Sequence, residues 1–211
     1  MKNFEIKNQN GRSMIEMLGV LAIIGVLSVG GIAGYSKAMM KYRINKTIEQ
    51  ITLIAGNVRT FFAAQKNYRG AECGSQYLSL SGQYLSDIYY GCKVAKKAKL
   101  FPDEMLTITN GSITNIENAF GGKFGIGTSD GRDFYLVFNQ VPLEACIELA
   151  SYDWRSANAI SLGLSKFNND TFGGNEIYYH NTLPANVEDV ITECSALVAN
   201  GRNIGLFILF K

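Results

Sequence analysis

The sequence has few of the residues that catalytic and metal sites need. It contains one histidine, His180, and its four cysteines include no C-x-x-C pair. The missing pair excludes the common zinc-binding spacings, and a lone histidine without a matched acid and nucleophile gives no catalytic triad. His180 is therefore predicted to be a surface or strand residue. We expect no enzymatic activity, no metal and no cofactor.

An excess of charge of one sign is also missing, and proline is scarce. The 20 Lys and Arg residues nearly balance the 18 Asp and Glu residues. A net charge of +2 produces no field that favours nucleic acid, so we expect no nucleic-acid partner. No proline precedes Pro102. The first hundred residues can therefore contain one very long helix.

The N-terminal part of the chain is instead rich in apolar residues. Residues 14–35 contain no Lys, Arg, Asp, His or Pro, and Glu16 is their only charge. A helix of this length reaches roughly 33 Å, enough to cross a hydrocarbon core about 30 Å thick. The run predicts a transmembrane helix in which the carboxylate of Glu16 needs a partner. The alternative is a carboxylate solvated at the level of the lipid headgroups.

A second helical pattern follows the apolar run. Six apolar residues recur at spacings of three and four, namely Ile44, Ile48, Ile51, Ala55, Val58 and Phe62. This stripe predicts a single helix from about Ser13 to Gln65 whose second half packs on a globular domain. Residues 67–100 are predicted to be a connector. A solvated helix face explains its lysines, at 93, 96, 97 and 99, better than a site for an anionic surface does.

Residues 101–211 predict an antiparallel sheet with two helices. Apolar residues cluster between turn residues at 105–109, 115–128 and 132–139, as they do in strands. One helix is predicted to begin at Pro142 and a second to run from Pro184 to a stop at Gly201, followed by a last strand at 204–210. The fold class is therefore α+β.

The four cysteines all follow the apolar run. They are Cys73, Cys92, Cys146 and Cys194. An even set beyond a membrane span predicts two disulfides in an oxidising compartment. Three pairings are possible, and we favour Cys73 with Cys92 and Cys146 with Cys194.

The N-terminus resembles that of type IV pilins and of the pseudopilins of type II secretion. A short basic leader ends at Gly11, Arg12 follows, and Glu16 stands fifth after that point, inside the apolar run. An ordinary secretory signal is instead cut after its apolar stretch. The resemblance implies that a prepilin peptidase cuts after Gly11 and methylates the new amine of Arg12. Most family members have Phe or Met where this chain has Arg12.

The resemblance also implies a role for Glu16 and an organisation for the chain. In the family, this acid pairs with the terminal ammonium of a neighbouring subunit and fixes the assembly register. The implied organisation is a leader at 1–11, a long helix at 12–66, a connector at 67–100 and a globular sheet at 101–211. As in the larger type IVb pilins, Cys146 and Cys194 would staple the C-terminal region to the sheet of a pilin fold.

The function implied by the resemblance is that of a structural subunit of a type IV pilus-like filament. Its expected partners are further copies of itself, the prepilin peptidase, the membrane and the inner-membrane machinery of pilus or secretion assembly. Two alternatives remain open. One is a minor pilin or pseudopilin of a secretion system, and the other is a single-pass protein whose periplasmic binding domain never polymerises.

The expected location is the bacterial inner membrane before assembly, with the C-terminal domain in the periplasm, and an extracellular pilus afterwards. The cations that follow the apolar run are Lys37, Lys41, Arg43 and Lys46. They outnumber the cations before it, which by the positive-inside rule favours the opposite orientation. We nevertheless predict a periplasmic C-terminal domain, because large domains cross the membrane largely regardless of flanking charge. The four cysteines also need an oxidising compartment to form disulfides.

Overall fold

The computed structural model describes residues 14–65, 67–74, 92–128, 131–155, 157–165, 172–199 and 203–211. The chain divides into two compact units, Met1–Lys41 and Tyr42–Lys211. The described part of the first unit is helical throughout. The second unit contains the described strands and both disulfides, so the predicted α+β class is confirmed.

Helix α1 spans Met14–Phe62, close to the predicted bounds. Its buried residues all lie in the second unit and are Ile44, Thr47, Gln50, Ile51, Ile54, Ala55, Val58 and Phe62. They recur every three or four positions and therefore form one face. Ile48, which the sequence placed in the stripe, is only half-buried.

The buried face of α1 packs on the sheet. The guanidinium of Arg59 lies over the rings of Phe134 and Phe210, 6.0 and 5.5 Å from their centroids. Tyr68, in the loop after the helix, contacts both Phe62 and Phe134 through its ring. Aromatic pairs and a cation over a ring add specific geometry to apolar burial, and they fix the second half of α1 in place.

The described residues form seven strands in two antiparallel sheets. They are β1 Leu106–Thr109, β2 Ser112–Ile116, β3 Phe124–Thr128, β4 Phe134–Val141, β5 Ala157–Ser165, β6 Phe172–His180 and β7 Asn203–Phe210. Strands β1 and β2 form a hairpin by themselves, and the other five lie in the order β3-β4-β7-β5-β6. The other described α-helices are α2 Cys92–Lys97, α3 Leu143–Ala150 and α4 Val187–Ala199, and a short 3-10 helix spans Asp103–Met105.

The five-stranded sheet is apolar on both faces. On one face Phe134 pairs with Phe210 and stacks on it at 5.0 Å between ring centroids. On the other face Tyr135, Val137 and Phe207 form a separate buried cluster. A Cβ atom at Gly127 would lie 2.2 Å from the ring of Tyr135, so only glycine leaves room for that ring. Burial raises the pKa of the Tyr135 phenol, and the nearby carboxylate of Glu72 adds to the shift.

The predicted elements differ from the observed ones in three places. The hairpin of β5 and β6 was not predicted at all. Helix α4 begins at Val187 rather than at Pro184, and Pro142 precedes α3 as its cap instead of opening it. The predicted stop at Gly201 and connector residues 75–91 lie outside the described residues.

Candidate assembly surface

The described part of the first unit exposes its apolar side chains. Every large apolar residue from Met14 to Tyr35 is between 51% and 87% exposed. Burying a side chain of this size contributes about 1.5–3 kcal/mol relative to leaving it in water. A surface of this extent is stable only against lipid or against other apolar helices.

Helix α1 is the one described helix that is long and apolar enough to cross a membrane, judged by its length and composition. By this criterion it is a candidate membrane anchor. The same exposed surface includes Gly30 and Gly34, spaced four residues apart, and a Cβ built at either position meets no atom within 4 Å. Small residues at this spacing let a neighbouring helix approach closely.

Of the residues predicted to act in processing and assembly, the structure describes one. Glu16 lies in the first turn of α1, where the positive end of the helix dipole favours an acid, and its side chain is exposed. Gly11 and Arg12, the predicted cleavage and methylation positions, lie outside the described residues.

Both disulfides have the pairing favoured from the sequence. Cys73 is bonded to Cys92, and Cys146 is bonded to Cys194. Cys73 also forms a backbone bridge to Ile126 of β3, so the first bond ties α2 to that edge of the sheet. The second bond joins α3 to α4, and all four cysteines are buried.

Within the second unit, an ion pair links α1 to the 3-10 helix Asp103–Met105 that precedes β1. The Nζ atom of Lys46 lies 2.8 Å from Oε1 of Glu104. This hydrogen bond lowers the pKa of Glu104 and raises the pKa of Lys46. The side chain of Gln50 donates a further hydrogen bond to Glu104, and this bond also lowers the pKa of Glu104.

A second polar pair joins β6 to α4. Nε2 of His180 lies 2.7 Å from Oε2 of Glu193, and each side chain is about 15% exposed. His180 was predicted to be a surface or strand residue, and it lies at the end of β6 with its side chain largely buried. Its partner was not predicted, because the two residues belong to different elements. Within the described part of the chain, no group of three or more His, Cys, Asp or Glu residues could hold a metal ion.

Residues 41–204, which are 164 of the 211 residues, match the protein-family model described as PilS N terminal. No curated protein matches the chain. The matched range covers most of the second unit and begins within α1. The chain therefore belongs to the PilS N terminal family and is a pilus-related protein.

Proposed function

We propose that this protein is a non-catalytic structural subunit of a type IV pilus-like filament. The observation that carries the proposal is the combination of an exposed apolar helix bearing one acid with a unit that matches a pilus-related family. The helix anchors the subunit in the inner membrane before assembly, with Tyr42–Lys211 on the periplasmic side, and joins the core of the filament afterwards.

The exposed half of α1 suits both the lipid bilayer and the core of a filament. Its backbone is hydrogen-bonded within the helix, so neither lipid nor a bundle of helices has to satisfy it. Because its side chains are apolar, the subunit moves from one water-free environment to another without exposing them to solvent. The open surface at Gly30 and Gly34 allows neighbouring helices to pack closely in the bundle.

Glu16 provides the register of assembly in this proposal. The prepilin peptidase cuts after Gly11, and the ammonium group of the new first residue, Arg12, becomes available. The carboxylate of Glu16 in one subunit pairs with that ammonium in its neighbour. Pairing removes most of the cost of keeping either charge in an apolar core, whereas a shift in register leaves both charges unpaired.

The intact mass of the mature protein tests the proposal. Material purified from membranes and from sheared surface filaments should lack residues 1–11, with or without one added methyl group. A leader that is retained in both fractions contradicts processing. A protein that is processed but never found in sheared filaments contradicts the role as a filament subunit.

A further inference from the structure

A group of polar side chains ends the exposed apolar half of α1. Lys37 and Lys41 follow Tyr35, the last residue of the apolar run, and both lysine side chains are exposed. The lysines are one helical turn apart and therefore lie on the same side of α1. The ring of Tyr35 is 67% exposed and lies on the other side of the helix. We call Tyr35, Lys37 and Lys41 the collar.

The sequence around the collar carries positive charge without any acid. Residues 17–48 contain no Asp or Glu, so the acids of α1 that flank this stretch are Glu16 at its start and Glu49 beyond it. The field at the collar is therefore positive. A positive field at the end of an apolar helix attracts anions that lie at the same level.

The length of the apolar run puts the collar at the level of the lipid headgroups when the run spans a bilayer. The polar layer on each side of the hydrocarbon core is about 5–8 Å thick. At the standard rise, the Cα atoms of Lys37 and Lys41 lie about 3 and 9 Å beyond that of Tyr35. Helix side chains tilt toward the N-terminus, so both lysines lean back toward the bilayer. Their apolar stems carry the ammonium groups to the phosphates.

From this placement we infer that the collar binds the phosphate groups of anionic phospholipids. The lysine ammonium groups donate hydrogen bonds to phosphate oxygens, and the ring of Tyr35 lies at the interface, where tyrosine is favoured. Lipids surround a helix on all sides, so both sides of the collar contact headgroups. The inference rests on the membrane anchoring in the proposed function and does not depend on filament formation.

The charge of the collar favours an anionic lipid over a zwitterionic one. The headgroup of phosphatidylcholine has its own cation beside the phosphate, whereas phosphatidylglycerol has a net negative charge. Each lysine or arginine near an anionic surface strengthens binding to it, and salt screens the effect. Free phosphate has the same chemistry as the headgroup. The continuity of the collar with the apolar run favours the lipid, because the run holds the collar at the membrane surface.

Binding of anionic lipid gives the cations after the span a role. By the positive-inside rule they favour the orientation opposite to the one in the proposed function. Once this end of α1 is in the periplasm, contact with anionic headgroups stabilises it there. The same contact sets the depth of the helix, because sliding α1 further into the bilayer would move the lysines into hydrocarbon.

Electron spin resonance on the full chain in phosphatidylcholine vesicles tests the inference. Trace amounts of spin-labelled phosphatidylglycerol or phosphatidylcholine are added, and the spectrum gives the fraction of each label that the protein immobilises. We expect the protein to associate with the phosphatidylglycerol label at least about twofold more strongly. High salt should remove this preference. Inorganic phosphate at matched ionic strength should leave it unchanged, and displacement of the lipid by phosphate overturns the inference.

Substitutions locate the preference on the chain. Lys37→Gln with Lys41→Gln should bring the two labels to within about 1.3-fold of each other, because both cations are lost. Lys37→Arg with Lys41→Arg keeps both charges and should keep the preference. The matched control is Lys97→Gln with Lys211→Gln, which removes the same charge at exposed lysines of the second unit. The control should bind lipid as wild type does.

The outcomes separate this inference from the proposed function. Equal association of both labels with the wild-type protein, or an unchanged preference in the glutamine variant, overturns the inference. Processed chains found in sheared filaments then leave the proposed function standing. If alkaline carbonate extracts the chain from membranes, both fail. Non-reducing gels report whether each variant forms its disulfides. If the glutamine pair fails to fold, Lys37→Gln and Lys41→Gln are measured singly, and each should lower the preference.

Discussion

Both halves of α1 contain many apolar residues, but the two halves differ in where those residues lie. Ile24 in the first half is 52% exposed, whereas Ile54 in the second half is fully buried. The first half has apolar residues all around its circumference, and the second half confines them to one stripe between polar residues. A helix that is apolar all round needs a partner outside the chain, whereas a striped helix finds its partner within it.

The largest effect should come from the one acid in the apolar half. Glu16→Ala should lower the yield of sheared filaments at least about tenfold, because the ammonium of the neighbouring subunit then stays unpaired in an apolar core. The amount of protein in the membrane should not change. Glu49→Ala removes an exposed acid from the striped half and is the matched control. Normal filaments from Glu16→Ala would rule out the register role.

Removing the Cys146–Cys194 bond should destabilise only the second unit. The bond closes a loop across 48 residues, so replacing both cysteines by serine should lower the free energy of unfolding by about 4 kcal/mol. The Cys73–Cys92 bond spans 19 residues, and its loss should cost about 3 kcal/mol. Urea unfolding in detergent, followed by the fluorescence of the buried Trp154, measures both. Equal losses would contradict the dependence on loop length.

Truncating one isoleucine in each half of α1 compares the halves directly. Ile54→Ala should lower the free energy of unfolding of the second unit by about 2–5 kcal/mol, because it leaves a cavity under the helix. Ile24→Ala should change it by less than about 0.5 kcal/mol, because its side chain is exposed. Trp154 fluorescence in urea again gives the result. A similar loss in both variants would show that the two halves are not independent.

The smallest effect should come from the ion pair between α1 and the 3-10 helix Asp103–Met105. The hydrogen bond from Lys46 lowers the pKa of Glu104 in the folded protein below its unfolded value of 4.5. The ionised carboxylate therefore stabilises the fold at a pH above 4.5, and this contribution is lost as the pH falls through the lowered pKa. The pKa of Lys46 is raised above 10.5, so its contribution is lost at a pH higher than that. Glu104→Gln should lower Tm at pH 7 by less than about 3 °C and should flatten its acid dependence. An unchanged acid dependence would contradict this assignment.

The sequence predicted those parts of the fold that are set by local patterns. The stripe from Ile44 to Phe62 located the second half of α1, and runs rich in Val, Phe and Leu located β4 and β7. The hairpin of β5 and β6 was missed because its strands contain Ala, Ser, Gly and Asn, which have weak strand preferences. Strand β5 is stabilised by pairing with β7, which lies far away in the sequence, and β6 pairs only with β5.

The sequence also contains signals for the start of α4 and for the turn between β1 and β2, which could have located both features. Asn186 accepts a hydrogen bond from the backbone N–H of Glu188 at 2.8 Å, so it caps α4 and explains why the helix begins at Val187. Asn110 and Gly111 have φ angles of 50° and 76°, the conformation that an Asn-Gly pair favours between two hairpin strands. The pairs Lys46–Glu104 and His180–Glu193 gave no such signal, since long-range geometry alone brings their residues together.

The place of β7 in the sheet affects how the chain can be made. Residues 203–210 form the middle strand, yet they follow every other described strand along the chain. While a ribosome is still producing them, β4 and β5 lack the strand that belongs between them, and their open edges could pair with other chains. The five-stranded sheet is therefore completed only when β7 enters between the β3–β4 pair and the β5–β6 pair, after every other described strand has been made.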